Sequence, residues 1–181
     1  WASPYINAVI SSPAPAKPIR YILNTSAASD HTGGNEKAAR AGFFPRVGLG
    51  GATETGRGAS IFAHENVMNR MSAPAGKQSP TPAAAWPTDT YFDEFLKLPA
   101  YFNGEGVILY HEPSANTDGD SITFFRRSEV ISAGDIFSTV SYPVIDLERG
   151  GSIQGVIDGL NHILDLAMAE YRFDESANTI Y

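Results

Sequence analysis

The residues most able to do chemistry lie in one stretch, Asn24-Thr25-Ser26-Ala27-Ala28-Ser29-Asp30-His31-Thr32-Gly33-Gly34-Asn35. Asp30 and His31 are adjacent, and a carboxylate beside an imidazole is a ligand pair for a divalent metal. The stretch follows the apolar run Tyr21-Ile22-Leu23 and precedes a helix-like segment from Glu36 to Ala41. A strand that ends in a polar loop and then turns into a helix displays reactive groups on a rigid frame. Gly33 and Gly34 allow a tight turn into that helix, and Asn35 is placed to cap it. Ser26 and His31, with an aspartate, also invite a nucleophile-and-base reading. A triad is a matter of geometry, however, and the chain has no Gly-x-Ser-x-Gly elbow.

The other three histidines are His64, His111 and His162. His64 opens His-Glu-Asn-Val-Met, so Met68 stands where the helical zinc motif His-Glu-x-x-His needs its second imidazole. His111 closes a strand of strong β-formers, where a hydrogen-bonded strand-end histidine is the ordinary reading and an approach to a metal the sharper one. His162 sits beside an apolar helical stripe and reads as a surface or boundary residue. Asp118-Gly119-Asp120 lacks the twelve-position pattern of a calcium loop, which leaves Asp118 or Asp120 to cap the turn into the next strand. The glycines between 42 and 60 end in no Gly-Lys-Ser/Thr, so they read as a surface loop rather than a phosphate cradle.

These groups need a scaffold. Residues 5–10 read as the tail of a helix, and the prolines at 13, 15 and 18 make 11–18 a linker. Strands are expected at 19–23, 60–63, 107–111, 121–125 and 130–131, with 19–23 buried and 90–98 a short strand or helix. Helices are expected at 36–41 and 64–71. The segment 72–86, rich in Pro, Ala and Ser, reads as an ordered, extended excursion carrying Trp86. The clearest helix starts at Ser152, an N-cap behind the breaker Gly150-Gly151. Ile153, Val156, Ile157, Leu160, Ile163, Leu164, Ala167 and Met168 recur there at steps of three and four, an apolar stripe that must pack on a sheet. The expected class is α/β, in α+β layers.

With 181 residues the chain can build a core. It has no cysteine, which excludes disulfides and thiolate metal sites within it. A net charge of −7 argues against nucleic acid or an anionic membrane as partner. No apolar run approaches the roughly 20 residues of a spanning helix. Trp1-Ala2-Ser3-Pro4 has neither basic start nor apolar core, as in a mature chain whose signal has been removed. A secreted or periplasmic location is expected ahead of a cytoplasmic one.

The loop from Asn24 to Asn35 resembles the signature Asn-Thr-His-x-His-x-Asp-His-x-Gly-Gly-Asn of the metallo-β-lactamase-fold hydrolases, with Ser26 and Ala28 in place of the first two histidines. His111 to Asp120 resembles the second metal loop, with Asn116 at its histidine position. Ala133-Gly134-Asp135-Ile136-Phe137 matches the Gly-Asp-x-Phe loop, and Gly150-Gly151-Ser152 matches the turn into the following helix. The resemblance implies an αββα sandwich over the single domain 1–181. It also implies a domain incomplete at both the N- and C-termini, because the family pattern has a β-hairpin before Trp1 and a Gly-His-Gly loop after a strand such as 179–181.

The same resemblance implies that the first metal site is lost, since Ser26, Ala28 and Asn116 cannot replace three imidazoles. At the second site Asp30, His31 and Asp135 remain, an oxygen-rich set for at most one weakly held zinc, or manganese or iron, or for no metal at all. The implied activity is metal-dependent hydrolysis of an ester, lactone or amide, with Asp30 as the catalytic residue. The alternative is an inactive scaffold for binding or assembly, with a protein partner, a second copy or a complementing chain. In that reading Asp30, His31 and Asp135 are polar residues that satisfy the backbone of their own turns.

Overall fold

The computed structural model describes residues 19–43, 46–47, 53–54, 58–73, 81–98, 102–168, 173–174 and 179–180. The expected helix tail at 5–10, the linker at 11–18 and the centre of the excursion, 74–80, lie outside them.

In chain order the strands are β1 (Tyr21–Leu23), β2 (Arg46–Val47), β3 (Thr53–Glu54), β4 (Ser60–His64), β5 (Asp89–Tyr91), β6 (Phe95–Lys97), β7 (Val107–Glu112), β8 (Asp120–Phe125), β9 (Val130–Ser132), β10 (Phe173–Asp174) and β11 (Thr179–Ile180). The helices are α1 (Ser29–Thr32), α2 (Asn35–Ala41), α3 (Glu65–Ser72) and α4 (Ile153–Ala167). Strands β1, β4 and β5 form a parallel sheet in that order, and β6 to β9 an antiparallel one. Parallel pairing needs crossovers, which α2 and α3 supply. Both helices pack on the parallel sheet, while α4 packs beside β9 and the turn at Gly134–Ile136. The two sheets meet where the His64 ring of β4 lies on the His111 ring of β7 and where the hydroxyls of Tyr91 and Ser121 bond at 2.8 Å. The layers therefore run helix, sheet, sheet, helix. One cluster of the core is Ala63, Val67, Met71 and Ala85, and another is Ala115, Ile122 and Ile136.

Most elements form where hydrophobic pattern and turn residues put them, and the differences have physical causes. The segment 90–98 is two strand pieces rather than a helix. The glycine-rich stretch holds the short hairpin β2–β3. β1 is half-buried, not buried. Ser152 caps α4 as expected, its hydroxyl accepting from Gly155 N at 2.9 Å.

The stripe on α4, however, does not face the sheet as a whole. Ile153, Ile157, Leu164 and Met168 are 45–70% exposed. Val156 is buried, with Leu160 and Ile163 packed against the core. The helix approaches through its glycine edge: a Cβ on Gly155 would stand 1.9 Å from Ser114 O, and one on Gly159 would stand 3.0 Å from Ile136 Cγ2. That close approach sets the rotation of the helix and leaves more than half of the stripe outside.

Substitution Gly155→Ala tests this packing. In a free helix it would stabilise by about 1 kcal/mol. Here the clash with the Ser114 carbonyl decides the sign, and a net loss of about 2–4 kcal/mol in urea unfolding is expected. Ile153→Ala, on the exposed side, should stay within about 0.5 kcal/mol of the parent.

Candidate metal centre

The loop after β1 is closed by two amides. Asn35 Nδ2 donates to Asn24 Oδ1 at 2.8 Å, and Asn24 Nδ2 donates back to Asn35 Oδ1 at 3.0 Å. Asn35 Nδ2 also donates to the carbonyl of Ala85 at 2.9 Å, and Asn24 Nδ2 to that of His31 at 3.3 Å. Both side chains are fully buried, where an amide needs its partners. Asn35 is therefore not the cap expected from its position. It is the first residue of α2, Gly34 takes the cap position, and its side chain is committed to Asn24. Between the two amides the chain makes the single turn α1, with Thr32 N and Thr32 Oγ1 both donating to Ala28 O at 3.0 Å. That turn carries Asp30 and His31.

Asp135 reaches His31 from 104 positions away in the chain, its Oδ1 lying 3.1 Å from Nε2. Asp30 Oδ2 lies 3.9 Å from the same nitrogen, and its side chain is 78% exposed. The other ring nitrogen, Nδ1, is 3.0 Å from Thr25 Oγ1. Thr25, rather than Ser26, is thus the hydroxyl on the imidazole, so the Ser26–His31 pairing expected for a triad does not form. Two features fix Asp135. Its carbonyl accepts from Asn116 Nδ2 at 2.8 Å. Gly134 before it has φ +55°, with its Cα face against Thr25, where a Cβ would meet Oγ1 at 2.9 Å. The hydrogen bond to Asp135 raises the His31 pKa above its usual 6.5 against the opposing effect of burial, and the bond to His31 lowers the Asp135 carboxyl below its usual 3.8.

Asp30, His31 and Asp135 are the one such group among the described residues: one ligand atom from each lies within 4.8 Å of the others. One imidazole and two carboxylates suit a single zinc, manganese or iron ion. Ser26, Ala28 and Asn116, the positions named for a first site, line one cavity together with Asp135. Ser26 is buried, its Oγ accepting from Ala28 N at 3.3 Å and donating to Asp135. Asn116 is buried, and its Oδ1 has no partner among the described residues.

The remaining histidines lie elsewhere. His64 is buried and stacks on His111, ring centres 3.5 Å apart and 8° from parallel. Its Nδ1 accepts from Asn66 N at 3.3 Å, capping α3. Burial and the neighbouring His111 push its pKa down to about 4. His111 Nε2 donates to Asp118 O at 2.8 Å, which fits the strand-end reading. His162 is a boundary residue bonded to buried Glu112 at 2.6 Å. Both aspartates of the 118–120 loop are structural: Asp118 accepts from Arg70 Nε at 2.9 Å, and Asp120 from Thr117 N at 2.7 Å.

A cavity of about 470 Å³ opens beside Asp135, with Ser26, Asn116, Arg70, Phe137 and Tyr142 in its wall. Of these, sequence reasoning had no hold on Arg70 and Tyr142, which sit far from any recognisable motif. Thr25, adjacent to Ser26, was likewise missed, since only backbone direction decides which of two neighbouring hydroxyls meets the ring.

No protein-family model matches the chain, and no curated protein matches it. Solved structures do. A metallo-beta-lactamase from Pontibacter korlensis aligns with a TM-score of 0.61 at 10% identity, over 90% of this chain and 63% of its own length. A metallo-beta-lactamase family protein from Thermus thermophilus, TTHA1429, aligns with a TM-score of 0.55 at 17% identity, over 82% of this chain and 52% of its own. TTHA1623 in a di-iron-bound form gives 0.58 at 16%, over 91% of this chain and 72% of its own. The chain thus spans little more than half of some of these structures. At such identities the likeness shows the fold, which is that of the metallo-β-lactamases, as the sequence motifs implied.

Two measurements probe this region. Asn35→Ala leaves the buried Asn24 amide without its partner and should cost about 2–3 kcal/mol in urea unfolding. His64 binds its proton near pH 6.5 when unfolded and only near pH 4 when folded, so its contribution is present above pH 6.5 and lost as pH falls toward 4. On the order of 2 kcal/mol of stability should disappear over that interval. His64→Asn, which keeps a capping acceptor, should flatten that part of the stability–pH curve.

Proposed function

We propose that this chain forms part of a metal-dependent hydrolase-like protein that holds at most one metal ion, bound weakly by Asp30, His31 and Asp135. The observation that carries the reading is the convergence of those three ligand atoms within 4.8 Å. Zinc is the first candidate, with manganese or iron suited to the two carboxylates. The di-iron-bound state of one structural neighbour keeps iron in consideration. When bound, such an ion supplies Lewis acidity toward water and a carbonyl oxygen, the chemistry that opens an ester, lactone or amide.

Each residue of the chain has its part. Thr25 engages Nδ1 of His31 and leaves Nε2 directed at Asp135 and Asp30. The Asn116 amide and the left-handed turn at Gly134 hold Asp135 in place. Asp30 is the most exposed of the three and the one most open to solvent water, and the catalytic role is assigned to it. The bond to His31 favours the charged form of the Asp135 carboxyl, and the same bond raises the proton affinity of His31, so a metal ion competes with a proton at that imidazole.

The second reading is a scaffold for binding or assembly. It is favoured by the hydroxyl, methyl and amide at Ser26, Ala28 and Asn116, and by the exposed apolar residues on α4.

Calorimetric titration of metal-stripped protein with Zn²⁺, Mn²⁺ and Fe²⁺ separates these readings. No more than one equivalent should bind, and His31→Ala or Asp135→Ala should weaken binding at least tenfold. Asp30→Ala should remove any esterase activity along with the metal. Two tight equivalents would overturn the proposal, and a native protein free of metal and indifferent to all three substitutions would establish the scaffold.

A further inference from the structure

The inner faces of the two sheets do not meet along their whole length. Alternate residues of a strand share a face. Tyr21, Leu23 and Thr25, along β1 and just past it, line one cavity of about 580 Å³ with Val107 of β7 and with Thr123 and Phe125 of β8. The sheets that close on each other at the His64–His111 stack and the Tyr91–Ser121 bond leave this space open. Packed sheets fill the gap of about 10 Å between them with side chains. Here Tyr21, Leu23, Val107 and Phe125 are only half-buried. A void of this size with apolar walls has the dimensions of a small-molecule site.

Its two ends differ. The hydroxyls of Thr25 and Thr123 mark one of them. Ser121 N donates to Thr25 O at 2.9 Å, which sets Thr25 beside the strand that carries Thr123. Thr123 is 2% exposed, and its Oγ1 has no hydrogen-bond partner among the described residues. A buried hydroxyl left without a partner is costly, and a molecule in the cavity supplies one. The charged residues of the wall, Arg20 and Glu105, stand toward the other end. Arg20 precedes Thr25 by about 16 Å of extended chain, and Glu105 accepts from the amides of Arg127 and Ser128 beyond the end of β8.

Thr25 also joins this cavity to the metal centre, because its Oγ1 lies 3.0 Å from His31 Nδ1. A hydroxyl has one hydrogen to donate and room to accept. When Nδ1–H donates to Thr25, the Thr25 hydrogen is left for another acceptor. A hydroxyl on a bound molecule meets both needs, accepting from Thr25 and donating to Thr123.

We propose that this cavity binds a small uncharged alcohol or phenol, and that His31 senses it through Thr25. The hydroxyl lies between Thr25 and Thr123, and the apolar body runs along Leu23, Tyr21, Val107 and Phe125. The site shares no described residue with the cavity beside Asp135. Binding requires no metal, so it stands or falls apart from the hydrolase reading.

The metal-free chain is titrated at fixed pH with 1-butanol, 1-hexanol and 1-octanol, and with hexanoate and hexylammonium as charged counterparts. Methyl NMR follows Leu23 and Val107, and ring nitrogen spectra follow His31. Affinity should rise about three- to fourfold per methylene. Both ions should bind at least tenfold more weakly than hexanol. The Leu23 and Val107 methyls and the His31 Nδ1 resonance should shift along one saturation curve. Thr123→Val keeps the shape and removes the hydroxyl, so the fold should be as stable or more so, while hexanol binds at least fivefold more weakly. Val107→Phe fills the space from a half-buried position and should weaken hexanol by as much, which keeps the test decisive if Thr123→Val fails to fold. An affinity blind to chain length, ions that bind as well as hexanol, or hexanol indifferent to both substitutions overturns the assignment. So does hexanol that shifts Val144, in the wall of the other cavity, in place of Leu23 and Val107. A His31 resonance that stays still while hexanol saturates overturns the coupling through Thr25.

Discussion

The reciprocal pair of amides between Asn24 and Asn35 is the constraint on which the candidate site depends. It joins the end of β1 to the first residue of α2, with both side chains sealed from water. Burial removes water as an alternative partner, so each amide must find the other. The pair also reaches outward, to the carbonyls of His31 and Ala85. The loop is therefore held at its base, at its middle and against the neighbouring turn, and α1 has little freedom in where it presents Asp30 and His31.

A second, long-range constraint completes the site. Asp135 belongs to a turn after the antiparallel sheet, whereas His31 follows the first strand of the parallel one. Close approach of Gly134 to Thr25, and the Asn116 amide on the Asp135 carbonyl, bring the carboxylate onto the ring. The outcome is a hydrogen-bonded pair whose partners shift each other's proton affinity in opposite directions. Ser26 and Asn116 occupy the same neighbourhood, and both hydrogen-bond to Asp135. Ser26 and Asn116 thus support Asp135 rather than compete with it.

Close packing by glycine has a counterpart in exposed apolar surface. Because α4 rests on Ser114 through Gly155, its helical stripe is turned partly outward. The strap 137–147 leaves the core at Ile136 and returns at Asp146 with its apolar side chains unshielded. Asp135 lines a cavity whose wall joins apolar side chains such as Phe137 and Val144 to the charged Arg70, Asp146 and Arg149.

The sequence by itself determined the local elements and the identity of the fold. Runs of β-formers at 107–111 and 121–125, the Ser152 cap and the three-four spacing behind it are local patterns, and each dictates structure through neighbours a few positions away. The motifs at Asp30-His31 and Gly134-Asp135 were legible for the same reason, as short strings with fixed spacing. Tertiary structure alone decided what those residues touch. It put Thr25 instead of Ser26 on the imidazole, turned Asn35 from a cap into a buried partner of Asn24, stacked His64 on His111, and brought Tyr142 and Arg70 to the same cavity. These outcomes depend on backbone direction and on contacts between residues tens of positions apart. Residue type and periodicity carry no record of such contacts, because many partners satisfy the same hydrogen bond or fill the same space until packing selects one.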